Sequence, residues 1–109
     1  MDIGVFFFPT HYSIELTELA TELEQRGYES LLTCEHTHIP VSRKTPFPSG
    51  GEVPKQYYHT YDQFVGLSFA AAVTKTLKIG TSICLVPQHD PFNLAKAVAS
   101  LDRLSGGRF

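Results

Sequence analysis

Long apolar runs, cysteines and basic clusters are all scarce in this chain, and each scarcity removes a class of protein. The apolar runs are short, such as Val5-Phe6-Phe7-Phe8, and none approaches the ~18 residues of a membrane-crossing helix. No charged segment followed by an apolar one stands near the start, so neither a leader nor an anchor is expected. Cys34 and Cys84 are the only cysteines, too few for a disulfide framework. Nothing beside them in the sequence lowers their pKa, so both read as small buried hydrophobes. Lys+Arg 9 against Asp+Glu 11 leaves a formal net charge of −2 with no basic run, which argues against a nucleic-acid partner. What remains is 109 residues, 42% of them hydrophobic. That is enough for a packed core, and the length allows one domain at most. The expectation is a cytoplasmic protein.

The remaining pattern alternates strand and helix. Asp2 to Phe8 is an apolar, aromatic run closed by Pro9 and reads as a buried strand. Ser13 is placed to cap a helix with Leu16, Leu19, Ala20 and Leu23 on one stripe, stopped at Gly27. Glu29 to Thr33 forms a second strand. From Thr37 to Thr60 four prolines (Pro40, Pro46, Pro48, Pro54) and Gly50-Gly51 make a long loop, a feature that is usually a lid or binding loop where it is not disordered. Asp62 opens a helix to about Thr74 with Phe64, Leu67 and Ala71 on its stripe. Leu77 to Leu85 is a third strand, interrupted by Gly80. Asp90 and Pro91 sit at the N-cap and first position of a third helix, whose apolar face is Leu94, Ala97, Val98 and Leu101. Ser105-Gly106-Gly107 ends it, and Arg108-Phe109 looks like the start of a fourth strand.

Repeated strand–helix units imply parallel strands, in either a doubly wound sheet or a (β/α)8 barrel. No G-x-G-x-x-G follows the first strand, which weakens the dinucleotide-binding open sheet. A barrel needs ~250 residues, so the fold class expected is α/β, the first three units of an incomplete (β/α)8 barrel.

The densest polar group, Cys34-Glu35-His36-Thr37-His38, follows the second strand directly, where parallel α/β folds gather their active sites. Three readings stand side by side. Glu35 caps the turn and the histidines are solvated; or His36-x-His38 offers two imidazoles to a metal; or His36 is a general acid/base held by Glu35. The second address is the exit of the third strand, Gly80-Thr81-Ser82-Ile83-Cys84, where a glycine among β-branched residues suggests a bulge or a close backbone approach. His89 reads as packing beside the helix start. Tyr57, Tyr58, His59 and Tyr61 either line a pocket or pin the loop.

At these residues the sequence resembles the luciferase-like monooxygenase family, specifically its deazaflavin (coenzyme F-420) dependent branch. The matching pieces are IGVFFFP, GYESLLTCEHTHIP, the Pro-rich VSRKTPFPSGGEVP, TYDQFVGLSFAAAVTKTLKIGTSICLVPQHDP and NLAKAVASLDRLSGGRF. The closing LDRLSGGRF and the acid–His step are the most telling. The resemblance covers essentially the whole chain and about the first third of such a barrel enzyme. It implies that the flavin or deazaflavin binds at the C-terminal ends of the strands. His36 matches the histidine that faces the substrate's reacting carbon, and Glu35 its acidic neighbour. The resemblance thus makes His36 and Glu35 catalytic and cofactor-facing, with Thr81, Ser82 and Ile83 along the ring. No metal is implied. The matching pair in the family also implies a cis Ser82–Ile83 bond, a form costing ~2.5–4 kcal/mol outside proline.

The chemistry implied is hydride transfer between the deazaflavin and a small organic substrate, with FMN-dependent monooxygenation as the alternative. A further alternative is a truncated piece with no catalysis of its own. The late loops that bind the cofactor phosphate in such barrels have no counterpart among these residues. The whole protein is expected to be a homo-oligomer, and a three-unit piece to self-associate through its uncovered strand edge.

Overall fold

Three four-residue strands set the frame, each followed along the chain by a helix. The computed structural model describes all 109 residues. Strand β1 (Gly4–Phe7), β2 (Ser30–Thr33) and β3 (Lys78–Thr81) form a parallel sheet in the order β1-β2-β3. The register aligns Val5, Leu31 and Ile79 in one row and Phe6, Leu32 and Gly80 in the next. Side chains alternate across a strand. The first row therefore faces the helices, and the second the opposite side, where Phe6 is 54% exposed.

Helix α1 (Leu16–Gln25) buries Leu16, Ala20 and Leu23, with Leu19 packed beside them. It starts later than the Ser13 cap predicts. The Ser13 hydroxyl instead accepts from the Thr10 N–H (3.0 Å) and donates to the Thr10 carbonyl (2.8 Å), closing its own turn. Glu15 stands at the cap position without a side-chain bond, a case of local side-chain bonding competing with capping. At the other end Gly27 takes φ +76°, and the Tyr28 N–H reaches back to the Leu23 carbonyl, as a left-handed helix stop requires.

Helix α2 (Gln63–Val73) starts at Asp62, which accepts from the Val65 N–H at 2.9 Å. Its buried line is Gln63, Gly66, Leu67 and Ala70, while Phe64 and Ala71 are half-buried at its border. Gly66 is there because α1 comes close: a Cβ would lie 3.0 Å from Leu16 Cδ2. Helix α3 (Pro91–Ser105) begins as the sequence indicates, with Asp90 accepting from the Asn93 N–H at 2.9 Å. The core joins α1, α2, β2 and β3 through Leu31, Leu67, Leu77 and Ile79, with Leu101 of α3 beside them.

The chain returns to the sheet after α3. The Ile79 N–H donates to the Arg108 carbonyl at 2.9 Å, along the edge of β3 away from β2. The Arg108 guanidinium donates to the carbonyls of Ser105, Leu77 and Ala71 and to the Thr74 hydroxyl, at 2.7–2.9 Å. One planar cation thus fastens the ends of α2 and α3 to the start of β3. No helix is long and apolar enough to cross a membrane.

Candidate active site

The residues at the C-terminal ends of β2 and β3 converge on one buried carboxylate. Glu35, two positions past β2, is 6% exposed. Its Oε2 accepts from Gln63 Nε2 (3.0 Å) and from the Leu85 N–H (2.6 Å), and its Oε1 lies 2.5 Å from His89 Nε2. Burying a charge is costly unless it is paired and hydrogen-bonded, and this one is met on both oxygens. It joins the end of β2, the first residue of α2 and the connection between β3 and α3.

That arrangement revises the expected Glu35–His36 couple. Every bond of the Glu35 carboxylate goes to Gln63, Leu85 or His89, and none to the His36 ring. His89, read in the sequence as packing, is the imidazole that the acid holds. Gln63 joins the site unannounced by any motif; its one signal is a polar residue on the buried stripe of α2, in line with Leu67 and Ala70.

His36 is half-buried, its ring edge-on to Tyr57 with centroids 5.0 Å apart. Burial, and then the nearby His38, hold its pKa below the ordinary histidine value, which favours the uncharged imidazole. His38 Nδ1 is bonded to the Thr37 hydroxyl (2.8 Å), which donates in turn to Gln88 Oε1 (3.0 Å).

The one group with metal-ligand spacing is instead Glu35, Cys84 and His89, whose ligand atoms lie within 4.8 Å of one another. Desolvation and then the Glu35 carboxylate raise the Cys84 pKa, so in this arrangement Cys84 is a protonated, unreactive thiol. Cys34 is pushed up to about 11 by burial and is equally inert.

At the exit of β3, Thr81 is half-buried, Ser82 is exposed and Ile83 is 53% exposed. All peptide bonds are trans, so the expected cis bond at Ser82–Ile83 is absent. The ladder ends with the Ser82 N–H on the Thr33 carbonyl (2.7 Å). The chain then leaves the sheet through trans peptides into the one-turn 3-10 helix Val86–Gln88. Because it leaves there, the strand stops at Thr81 rather than running to Leu85.

The loop from Thr37 to Thr60 folds back over His36. Its far end is pinned by a bridge between Thr10 and Thr60 and by Tyr57, which meets Phe8 (4.9 Å) and Phe47 (5.5 Å) edge-on. Between this loop and His36 lies a cavity of about 800 Å³, also lined by His38, Arg43, Lys44, Tyr57 and Tyr58. Tyr57 is therefore both a pin and a wall.

Parallel β/α units with a polar cluster and a cavity at the strand ends define the opening part of a barrel-type α/β protein. Comparison with known proteins gives the particular family: the model of the luciferase-like monooxygenases matches residues 1–109, and the chain belongs to that family. An uncharacterised protein of Mycobacterium tuberculosis is 37% identical over 111 residues, covering 99% of this chain and 39% of its own length. The 4-hydroxyprotoasukamycin monooxygenase of Streptomyces nodosus subsp. asukaensis is 33% identical over 92 residues, 84% of this chain and 20% of that one. Among solved structures, monooxygenase RslO1 from Streptomyces bottropensis superposes with a TM-score of 0.76 at 26% identity, over 99% of this chain and 31% of that one. The coenzyme F-420 dependent tetrahydromethanopterin reductase of Methanopyrus kandleri gives 0.72 at 24% identity, over 98% and 25%. The chain thus spans about two-fifths of the uncharacterised relative it matches, and its three units match the start of the family barrel.

Proposed function

We propose that these residues form the substrate-facing part of an oxidoreductase that uses coenzyme F-420 and a small organic substrate. The observation that carries this reading is His36: a half-buried imidazole just past the C-terminal end of β2, lining a cavity large enough for a small molecule.

The residues present fit a flat ring on the side of the sheet away from the helices. At Gly80 the sheet is closely packed, since a Cβ there would meet the Leu32 side chain of β2 at 3.0 Å. Phe6 and Ile83 offer exposed apolar surface near the strand ends. Thr81, Ser82 and Ile83 would lie along the ring. When bound, the deazaflavin supplies the site that accepts or gives a hydride. The protein's part is to hold and move a proton: an imidazole nitrogen of His36 takes the one released by a substrate hydroxyl. Glu35 is a positioning residue, fixing the β3 exit through Leu85 and His89. Tyr57 holds the imidazole edge-on, and the loop forms the far wall of the cavity.

FMN-dependent monooxygenation is the second reading, favoured by the two monooxygenases among the similar proteins. An assay of the whole protein carrying these residues separates the two. With F-420 and a panel of small alcohols, one substrate should bleach the deazaflavin's visible absorbance. His36→Ala should slow that bleaching by roughly 10²–10⁴, the contribution of a positioned acid/base. Oxygen-dependent consumption of reduced FMN, with no bleaching of F-420, would replace this reading with the second.

A further inference from the structure

The cavity beside His36 is positively charged in a chain whose net charge is negative. Arg43 and Lys44 both line it, together with His36 and His38, and Glu52 is the only acid on its wall. Neither cation is in an ion pair: the three in the structure are Arg26–Glu22, Lys78–Glu29 and His89–Glu35. Arg43 makes a single long hydrogen bond, to the Thr45 carbonyl at 3.4 Å, and Lys44 makes none. Nearby Lys55, in contrast, is engaged, its ammonium 4.3 Å from the centre of the Tyr12 ring. Two adjacent unpaired cations therefore line the same space as the proposed proton acceptor. That space is about 800 Å³, within the roughly 300–1,000 Å³ of pockets that take small organic molecules.

We propose that this cavity recognises an anionic group, and that Arg43 and Lys44 set the substrate class as small organic acids. A carboxylate suits the pair, because the guanidinium offers a planar two-pronged donor and the ammonium a point charge beside it. The carboxylate is held at the loop while the carbon to be oxidised or reduced lies towards His36. The inference rests on the reading of His36 given above. The same anion chemistry could come from the tail of the cofactor, and the experiment has an arm for that source.

The test is titration of the isotopically labelled whole protein with benzoate and with its neutral isostere benzamide, read by amide chemical shifts. Benzoate is expected to move the resonances of Val41, Thr45 and Gly51, which line the cavity, and to bind about tenfold more tightly than benzamide, the value of a charge-assisted bond. Replacing both cations (Arg43→Gln, Lys44→Gln) should abolish that preference, and exchanging them (Arg43→Lys, Lys44→Arg) should restore most of it. Both residues are exposed on the loop, so thermal melting should be unchanged. Equal binding of the two probes, or a preference that survives the double glutamine variant, overturns the proposal. The second arm compares coenzyme F-420 with its tail-less deazaflavin. If the glutamine variant weakens only the tailed form, the occupant is the cofactor tail and the assignment of organic acids as substrates is overturned. If both bind the variant as before while benzoate does not, the occupant is the substrate. Should neither deazaflavin nor FMN bind, yet benzoate bind through Arg43 and Lys44, the reading of function fails and the anion site stands.

Discussion

Replacing Glu35 by alanine should unfold much of the strand-end architecture, because three separate donors end on its two oxygens. The Leu85 N–H, Gln63 Nε2 and His89 Nε2 would all lose their acceptor. A buried donor left without a partner costs about 1–3 kcal/mol. Water can reach the Leu85 and His89 sites, which are only part-buried, so the sum should come to about 3–5 kcal/mol rather than the maximum. Against a total stability of about 5–15 kcal/mol that is a large fraction. In a whole barrel of ~250 residues it corresponds to a drop of about 6–20 °C in Tm. Glu35→Gln keeps one acceptor oxygen and should lose roughly half as much. Thermal and urea melts followed by circular dichroism would measure both. A double-mutant cycle with His89→Ala should return a coupling of about 1–3 kcal/mol. A Glu35→Ala protein within ~0.5 kcal/mol of wild type would mean the carboxylate is solvated, and the clamp would have to be abandoned.

Other positions give independent checks. Glu24 accepts from the backbone N–H groups of Lys75, Thr76 and Leu77 and from the Thr76 hydroxyl, which brings its pKa from 4.5 to about 2. A depressed carboxylate stabilises the fold above its unfolded pKa and ceases to as pH falls through the folded one. Stability should therefore fall between about pH 5 and pH 2, by about 1–2 kcal/mol after solvent screening of a partly exposed group. Glu24→Gln should flatten that acid limb; an unchanged limb would show that other groups carry it. Arg108→Lys should cost about 1–3 kcal/mol in a denaturant melt, since one ammonium cannot span the carbonyls of Ala71, Leu77 and Ser105. A neutral result there would mean that the guanidinium bonds contribute nothing net. His36→Ala should leave Tm within about 3–5 °C, because its ring makes one aromatic contact. A collapse in Tm would make His36 a structural residue and not a proton acceptor.

The parts of this molecule that could be read from sequence are those governed by short-range chemistry. Asp62, Asp90-Pro91, Gly27 and Gly106 act over three or four residues, and each stands at a helix end as the pattern indicates. Ser13 failed for the same local reason, since its hydroxyl had a nearer backbone partner in Thr10. The end of β3 was placed too late because Ile83, Cys84 and Leu85 are apolar, and apolar runs do not announce where a chain leaves a sheet. The site divided in the same way. The address of His36 followed from strand order and the motif around it. The partner of Glu35 did not, because His89 lies 54 positions away and only the convergence of β2 with the β3–α3 connection brings the two together. The side chain of Arg108 bonds to residues 31 to 37 positions away, a role that its place after the last helix does not signal.

The central claim is that the strand ends of this chain hold a deazaflavin beside His36. Fluorescence titration of the whole protein with oxidised coenzyme F-420, alongside FMN, addresses it most directly. The account predicts saturable quenching by F-420 at lower concentration than FMN. It further predicts that His36→Ala leaves the quenching nearly unchanged. Absence of saturable binding to F-420, or tighter binding of FMN than of F-420, would contradict it.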